Sequence, residues 1–186
     1  MQDESGETMI LGLDLSSSST GFGIIEPDKE QPKLVEYGQF RPSVDFDHGA
    51  KYVFIANKVR ELCDEFKIAE IVLEAYFVGG FRNQSTFICS ELRGHIKAVI
   101  SMEFPEIKIV EDIYPSSLKK IVTGHGKAEK HEVAKCILDK FGINYTELKG
   151  KGSKCTFMVG ANKFWDDTTD AISLAYCHYL KGLNVK

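Results

Sequence analysis

The chain has 186 residues, of which 43% are hydrophobic and 27% are charged. These proportions are typical of one folded globular domain and exclude a collagen-like or wholly disordered chain, and the length leaves no room for two full nucleotide-kinase lobes. Its 23 Lys and Arg residues against 27 Asp and Glu residues give a net charge of −4, so no overall basic charge indicates binding to nucleic acid.

Neither membrane insertion nor secretion is indicated by the sequence. No apolar run approaches the roughly 20 residues that a membrane-spanning helix needs, and the acidic, polar start MQDESGET does not resemble a signal peptide. The five cysteines include no Cys-x-x-Cys pair, which argues against a zinc ribbon and against a disulfide framework. We therefore predict an intracellular protein with no membrane partner, and a flexible tail at residues 1–8.

The hydrophobic pattern predicts strands and helices along almost the whole chain. Three opening strands are predicted at residues 9–15, 21–25 and 33–40. Apolar residues at spacings of three and four then predict a helix at 47–66. The later predicted segments are strands at 68–76 and 106–113, helices at 82–103, 126–141 and 165–182, and a Lys- and Gly-rich connection at 142–163. This order predicts an α/β domain whose mixed sheet has three antiparallel strands followed by parallel ones, flanked by helices.

Acidic residues stand at the ends of two predicted strands and at the start of the last helix. Asp14 and Glu74 each end an apolar run, and Asp167 and Asp170 share one helix face. Any of them alone could instead cap a turn or helix or face solvent, and Asp166 could be a cap only. Four converging carboxylates repel one another unless cations neutralise them, and oxygen ligands favour Mg²⁺ or Mn²⁺. The set therefore predicts a two-ion site for phosphodiester hydrolysis.

Four segments in order resemble the RuvC-type Holliday-junction resolvases of the RNase H-like superfamily. They are MILGLDLSSSSTGFGII, IVLEAYFVGGFRNQSTFICSELRGHIKAVI, VTGHGKAEKHEVAKCI and DDTTDAISLAYCHYL. Together they extend from about residue 9 to residue 180, and the Lys-rich connection before the last helix looks most like the poxvirus branch. The resemblance implies one RNase H-like domain over residues 9–186 with a five-stranded sheet and an insertion near 142–163.

The same resemblance implies a metal-dependent, structure-selective endonuclease that resolves four-way DNA junctions. Its products would be paired symmetric nicks, made during recombination and, in a poxvirus, during resolution of genome concatemers in the host cytoplasm. The implied cofactor is Mg²⁺, two ions in each site with Mn²⁺ as a substitute, and no nucleotide cofactor is expected. The implied assembly is a homodimer, since two strands must be cut symmetrically. The alternatives are a ribonuclease H, a broader flap or branched-DNA nuclease, or a non-catalytic DNA-binding module.

By this resemblance, six side chains would form the catalytic site. The implied metal ligands are Asp14, Glu74, Asp167 and Asp170, with Asp166 as the alternative to Asp167. Lys119 and Lys130 fall at the positions of active-site lysines that would hold the scissile phosphate.

A basic segment follows the fifth predicted strand. Residues 119–163 hold ten lysines and four acids, a net charge of +6, which suits phosphate contacts but is also compatible with a solvated surface. Aromatic residues near Glu74 could wedge between bases at a junction or pack on their own domain. The candidate DNA contacts are Phe77, Phe81, Arg82, Lys120, Lys127, Lys149, Lys151 and Lys154, with Arg93 as a further possible phosphate contact. The glycines of 142–163 suggest a flexible arm that orders on DNA.

Overall fold

A mixed five-stranded sheet lies at the centre of the computed structural model, which describes residues 8–75, 84–148, 156–159, 162–164 and 166–183. Its strands are β1 (Met9–Asp14), β2 (Thr20–Glu26), β3 (Lys33–Phe40), β4 (Ile68–Glu74) and β5 (Lys108–Ile113). They lie in the order β3-β2-β1-β4-β5. β1, β2 and β3 pair antiparallel, whereas β4 is parallel to both β1 and β5. The predicted mixed sheet is therefore confirmed.

Helices cover both faces of the sheet, and the sheet divides the hydrophobic core into two layers. These helices are α1 (His48–Glu65), α2 (Gln84–Glu103), α3 (Pro115–Thr123), α4 (Lys130–Lys140) and α5 (Asp166–Leu183). α1 and α2 pack on the face that carries Leu11 and Leu13 of β1, and α3, α4 and α5 pack on the opposite face with Ile10 and Val72. Among the described residues, no helix is long and apolar enough to cross a membrane.

The segment after β5 contains a helix that the sequence analysis did not predict. α3 begins at Pro115 and ends at Thr123. Gly124 caps its C-terminus with a φ of 88°, a left-handed conformation that favours glycine. α4 starts at Lys130 rather than at the predicted residue 126. The side chains of Glu129 and Glu132 form a capping box there, which fixes the start of the helix.

The connection predicted at 142–163 contains regular structure among the residues that are described, while its ordering on DNA stays a prediction. A second sheet forms there from β6 (Thr146–Leu148), β7 (Thr156–Val159) and β8 (Asn162–Phe164), all antiparallel. Phe157 is buried against Ala134 and Leu138 of α4. This apolar contact anchors the small sheet to the domain.

Glycines allow α5 to lie unusually close to β1 and β2. A Cβ atom at Gly12 would overlap the carbonyl oxygen of Ala171, and one at Gly21 would overlap that of Asp167. Because only glycine lacks this atom, the hairpin offers a flat surface to the helix. The first turns of α5 are thereby held beside the end of β1.

Candidate active site

Acidic and basic side chains meet at the carboxyl edge of the central strands. Asp14 ends β1 and Glu74 ends β4, and these two strands are adjacent and parallel. Asp170 reaches the same place from the second turn of α5. The three carboxylates line a cavity of about 320 Å³ whose other walls are Pro115, Leu118, Lys119, Lys130, Val133 and Leu174.

Asp14 lies in an unfavourable environment for a negative charge. Burial, followed by the charges of Asp170 and Asp167, raises the pKa of Asp14 from 3.8 to about 7, although Lys130 acts in the opposite direction. Glu74 adds a smaller repulsion. The four predicted ligands therefore lie close enough to repel one another, which is the condition that a bound cation would relieve.

Lys130 supplies the positive charge that faces these acids. Its Nζ lies 2.9 Å from Oδ2 of Asp170, and the lysine side chain is 65% exposed against 25% for the aspartate. Burial nevertheless raises the pKa of Asp170 above its usual value, against the charge of Lys130. The pKa of Lys130 is itself raised, because the charge and hydrogen bond of Asp170 outweigh the effect of burial. Lys130 is thus a protonated ammonium at neutral pH.

A second cavity lies against the same two strand-end acids. It measures about 360 Å³, and besides Asp14 and Glu74 it is lined by Leu13, Leu15, Ser85, Thr86, Cys89 and Arg93. Arg93 brings a positive charge to this cavity, as Lys119 and Lys130 do to the first one. Asp14 and Glu74 therefore face two cavities that each carry positive side chains.

Arg93 makes a contact that sequence reasoning missed. One of its terminal nitrogens donates to the backbone carbonyl of Glu74 at 2.6 Å, and the other lies 2.9 Å from Oε1 of Glu111. The sequence offered Arg93 only as a phosphate contact. No sequence signal points to the observed contact with Glu74, because its acceptor is a backbone carbonyl 19 residues away.

The remaining candidates are placed as follows. Lys119 lines the first cavity, whereas Lys120 and Lys127 are exposed outside it. Asp167 is half-buried and Asp166 is exposed. Several predicted DNA contacts lie outside the described residues: Phe77, Phe81, Arg82, Lys149, Lys151 and Lys154.

The donor chemistry of the site fits a hard divalent cation. The acids at the site offer carboxylate oxygens, and burial, followed by the charges of Asp170 and Asp167, raises the pKa of Asp14, an effect that a bound cation would oppose. Among the described residues, however, no three His, Cys, Asp or Glu side chains are arranged to hold one metal ion. The Lys130 ammonium lies against Asp170 in this arrangement. The three carboxylates therefore share one cavity but do not surround a common point.

Comparisons with known proteins agree with the fold. The family model of the crossover junction endodeoxyribonuclease RuvC matches residues 10–145. A curated RuvC from Cytophaga hutchinsonii is 30% identical over 97% of this chain and 80% of its own length. One from Legionella pneumophila (strain Lens) is 26% identical over 92% of this chain and 86% of its own.

Solved structures of resolvases share the fold. Thermus thermophilus RuvC superposes with a TM-score of 0.72 at 15% identity, over 95% of this chain and 97% of that one. The yeast mitochondrial Holliday junction resolvase Ydc2 gives 0.61 at 13% identity, over 96% and 81%. The fowlpox virus Holliday junction resolvase gives 0.51 at 14% identity, over 96% and 100%.

Proposed function

The chain belongs to the RuvC family of crossover junction endodeoxyribonucleases, and on this basis we propose that it is a structure-selective endonuclease that resolves four-way DNA junctions. The observation that carries the proposal is the meeting of Asp14, Glu74 and Asp170 with two lysines in one cavity. Carboxylates and ammonium groups at one sheet edge suit the hydrolysis of a phosphodiester, whose negative charge increases in the transition state.

Four carboxylates would hold the cofactor, for which we propose two Mg²⁺ ions with Mn²⁺ as a substitute. The ligands are Asp14, Glu74, Asp167 and Asp170. We favour Asp167 over Asp166 because Asp167 is half-buried whereas Asp166 is exposed. The charge of Asp167 raises the pKa of both Asp14 and Asp170, and that of Asp166 raises the pKa of Asp170. When bound, such ions activate a water molecule and stabilise the leaving oxygen.

The lysines would act on the phosphate itself. Lys119 and Lys130 line the cavity beside the acids, so their ammonium groups can pair with the oxygens of a phosphate that enters it. The exposed Lys120 and Lys127 would contact flanking phosphates and add affinity without reading sequence. Family resemblance implies ligatable products with 5′-phosphate and 3′-hydroxyl ends.

A single-turnover cleavage experiment tests this function. End-labelled four-way junction, linear duplex and RNA–DNA hybrid are incubated with protein in Mg²⁺ and in EDTA. We expect paired symmetric cuts in the junction that disappear in EDTA and in Asp14→Asn, and that persist in Asp45→Asn, which changes an exposed loop acid. Cutting of the hybrid alone would identify a ribonuclease H, and tight junction binding without cutting would identify a DNA-binding module.

A homodimer is proposed because a two-fold junction offers two equivalent strands to two sites. Val53 of α1 and Phe87 of α2 are exposed at 51% and 59%. Because α1 and α2 pack on the same face of the sheet, both side chains belong to one helical layer. A 3.0 Å hydrogen bond from Tyr52 to Glu91 joins the two helices. Sedimentation equilibrium should show a dimer for the wild type and a monomer for Phe87→Asp if this layer is the interface.

The closer affiliation with the poxvirus branch is not confirmed, since the curated relatives reported above are bacterial. A role in viral concatemer resolution and a location in the host cytoplasm stay predictions. An intracellular location also stays a prediction.

A further inference from the structure

Arg93 connects three elements beneath the candidate site. From α2 it donates to the carbonyl oxygen of Glu74 at the end of β4, 2.6 Å away, and it pairs with the Glu111 carboxylate of β5 at 2.9 Å. The arginine side chain is only 17% exposed. Removing a guanidinium from water is costly unless its N–H groups find acceptors. The Glu74 carbonyl and the Glu111 carboxylate are such acceptors for Arg93.

The Glu74 carbonyl and the Glu111 carboxylate both lie near the point where the pairing between β4 and β5 changes register. Val72 pairs with Val110, but Glu74 pairs with Ile113, so β5 carries one extra residue at this point. The pairing resumes with the amide of Ala75, which donates to the carbonyl of Ile113 at 2.8 Å. Glu74 therefore sits at an irregular strand end, and Arg93 supplies a donor to its carbonyl there.

Glu111 is held in turn by a second cation. Nζ of Lys97 lies 2.6 Å from Oε2 of Glu111, while Arg93 takes Oε1. Burial alone would raise the pKa of Glu111, but the hydrogen bonds and charges of Lys97 and Arg93 hold it below its usual value. The carboxylate is therefore a fixed, ionised anchor for the guanidinium.

The charge of Arg93 also reaches the Glu74 side chain. Burial and the charge of Asp170 raise the pKa of Glu74, and Arg93 is the first group that opposes them, ahead of Lys130. Arg93 lines the second cavity together with Asp14 and Glu74, whereas Lys119 and Lys130 line the first one. Glu74 therefore borders Arg93 in one cavity and two lysines in the other.

We propose that Arg93 is a positioning residue for the nuclease reaction, which holds the Glu74 backbone at the end of β4 so that its carboxylate is preset for a divalent cation. This inference rests on the proposed function, because it assigns Glu74 as a metal ligand. The two donors of the guanidinium reach acceptors on two different strands, and a lysine ammonium has no comparable planar fork. Partners that orient metal ligands in this way typically change metal affinity by about 10- to 100-fold when they are removed.

The test measures Mn²⁺ binding to the DNA-free protein by calorimetry. Arg93→Gln should raise the half-saturating Mn²⁺ concentration by about tenfold, and Arg93→Lys should give an intermediate rise because it keeps the charge and loses the fork. Arg60→Gln is the matched control, since Arg60 of α1 forms a 2.6 Å ion pair with Glu103 of α2. It removes an arginine–glutamate pair that is more exposed than that of Arg93, and it should leave Mn²⁺ binding unchanged.

Cleavage provides a second readout. In the Arg93→Lys protein, the Mn²⁺ concentration for half-maximal junction cutting should shift in parallel, while the rate at saturating Mn²⁺ stays within about threefold of wild type. A merely structural role would lower the thermal midpoint without moving the metal dependence. A half-saturating concentration within twofold of wild type in Arg93→Gln would overturn the inference.

Two further outcomes keep the inferences separate. If Arg93→Gln does not fold, Glu111→Gln is tested instead, because it keeps the arginine and removes the carboxylate that holds it. A rise of at least threefold in the half-saturating Mn²⁺ concentration supports the inference, and a change below twofold overturns it.

A wild-type protein that binds Mn²⁺ but cuts no junction refutes the proposed function, and Arg93 is then judged on the Mn²⁺ titration alone. A wild-type protein that binds no Mn²⁺ refutes both.

Discussion

Gly21 of β2 lies directly beneath the backbone carbonyl of Asp167 in α5, so close that a Cβ atom on Gly21 would overlap the carbonyl oxygen. Gly21 is also the register partner of Asp14 across the β1–β2 pair. The contact thus links the helix that carries Asp167 and Asp170 to the strand that carries Asp14. A single missing methyl group sets the distance between two halves of the site.

Gly21→Ala should therefore damage both stability and activity. We expect a loss of about 2 kcal/mol in the free energy of unfolding, typical of an overpacked core, and a larger loss of junction cleavage because Asp170 moves away from Asp14. Urea unfolding and single-turnover cleavage measure the two effects. Gly94→Ala is the control: a Cβ there meets nothing within 4 Å, and Gly94 lies inside α2, so a gain of up to about 1 kcal/mol is expected. Equal effects of the two substitutions would contradict this account.

The metal-free protein should lose stability as the pH rises towards neutrality. Burial and the charges of Asp170 and Asp167 raise the pKa of Asp14 from the ordinary 3.8 of an aspartate to about 7 in the folded chain, so the folded state binds this proton more tightly than the unfolded state. The resulting stabilisation is complete below about pH 4 and is lost as the pH rises through 7. It amounts to no more than about 4 kcal/mol.

Asp14→Asn should flatten that pH dependence. Urea unfolding in EDTA at pH 5 and pH 8 measures it, with Asp45→Asn as an exposed control. The wild type and the control should both be less stable at pH 8, while Asp14→Asn should change less between the two pH values. A slope unchanged by Asp14→Asn would show that this carboxyl does not titrate as described.

Lys130→Gln should make the fold more dependent on divalent cations. The substitution removes the ammonium 2.9 Å from Asp170, so Asp170 and Asp14 lose the positive charge that opposes their raised pKa. In EDTA at pH 8 we expect a loss of no more than about 1 kcal/mol, because the lysine is largely exposed. Added Mg²⁺ should raise the thermal midpoint more in Lys130→Gln than in the wild type.

Lys120→Gln, on the exposed part of α3, is the matched control for that experiment. Its midpoint should respond to Mg²⁺ as the wild type does. If Lys130→Gln responded no more than this control, Lys130 would not be the counter-charge of the acidic group.

Exposed lysines outside the cavity should contribute affinity for DNA through phosphate contacts. Fluorescence anisotropy with a four-way junction in EDTA, repeated at several salt concentrations, gives the slope of log affinity against log salt. The double variant Lys120→Gln, Lys127→Gln should weaken the salt dependence, so that the magnitude of the slope falls by about 2. Lys29→Gln, near Ile10 and Glu70 at the opposite edge of the sheet, should leave it unchanged, and an equal effect there would indicate non-specific attraction only.

The central sheet could be predicted because its strands carry strong local patterns. Buried runs such as β1 and β4 end in an acid, and the apolar stripe of α1 repeats at helical spacing. α3 was missed because nine residues give too short a window for that period. Its signals were Pro115 and Gly124, which together frame a short helix. The small second sheet was missed because its strands of three and four residues depend on the contact of Phe157 with α4.

In the candidate site, too, some positions could be predicted from local sequence patterns and others depend on tertiary packing. Strand-end positions predicted that Asp14 and Glu74 would lie close together, since adjacent parallel strands end at one edge. The places of Lys119 and Lys130 came from family resemblance, because lysines in a basic segment carry no positional signal of their own. The hold of Arg93 on Glu74 could not be predicted, since it depends on the packing of α2 over two strands.

Asp14 belongs to the first element that the structure describes and Asp170 to the last. A chain still emerging from the ribosome would already contain Asp14 and Glu74 but not α5. The glycines of the β1–β2 hairpin would then have no helix to pack against. Bringing together residues so far apart in the sequence costs chain entropy and is expected to slow folding. An unfinished chain would therefore be unable to cut DNA, and the gain of nuclease activity would coincide with the completion of the fold.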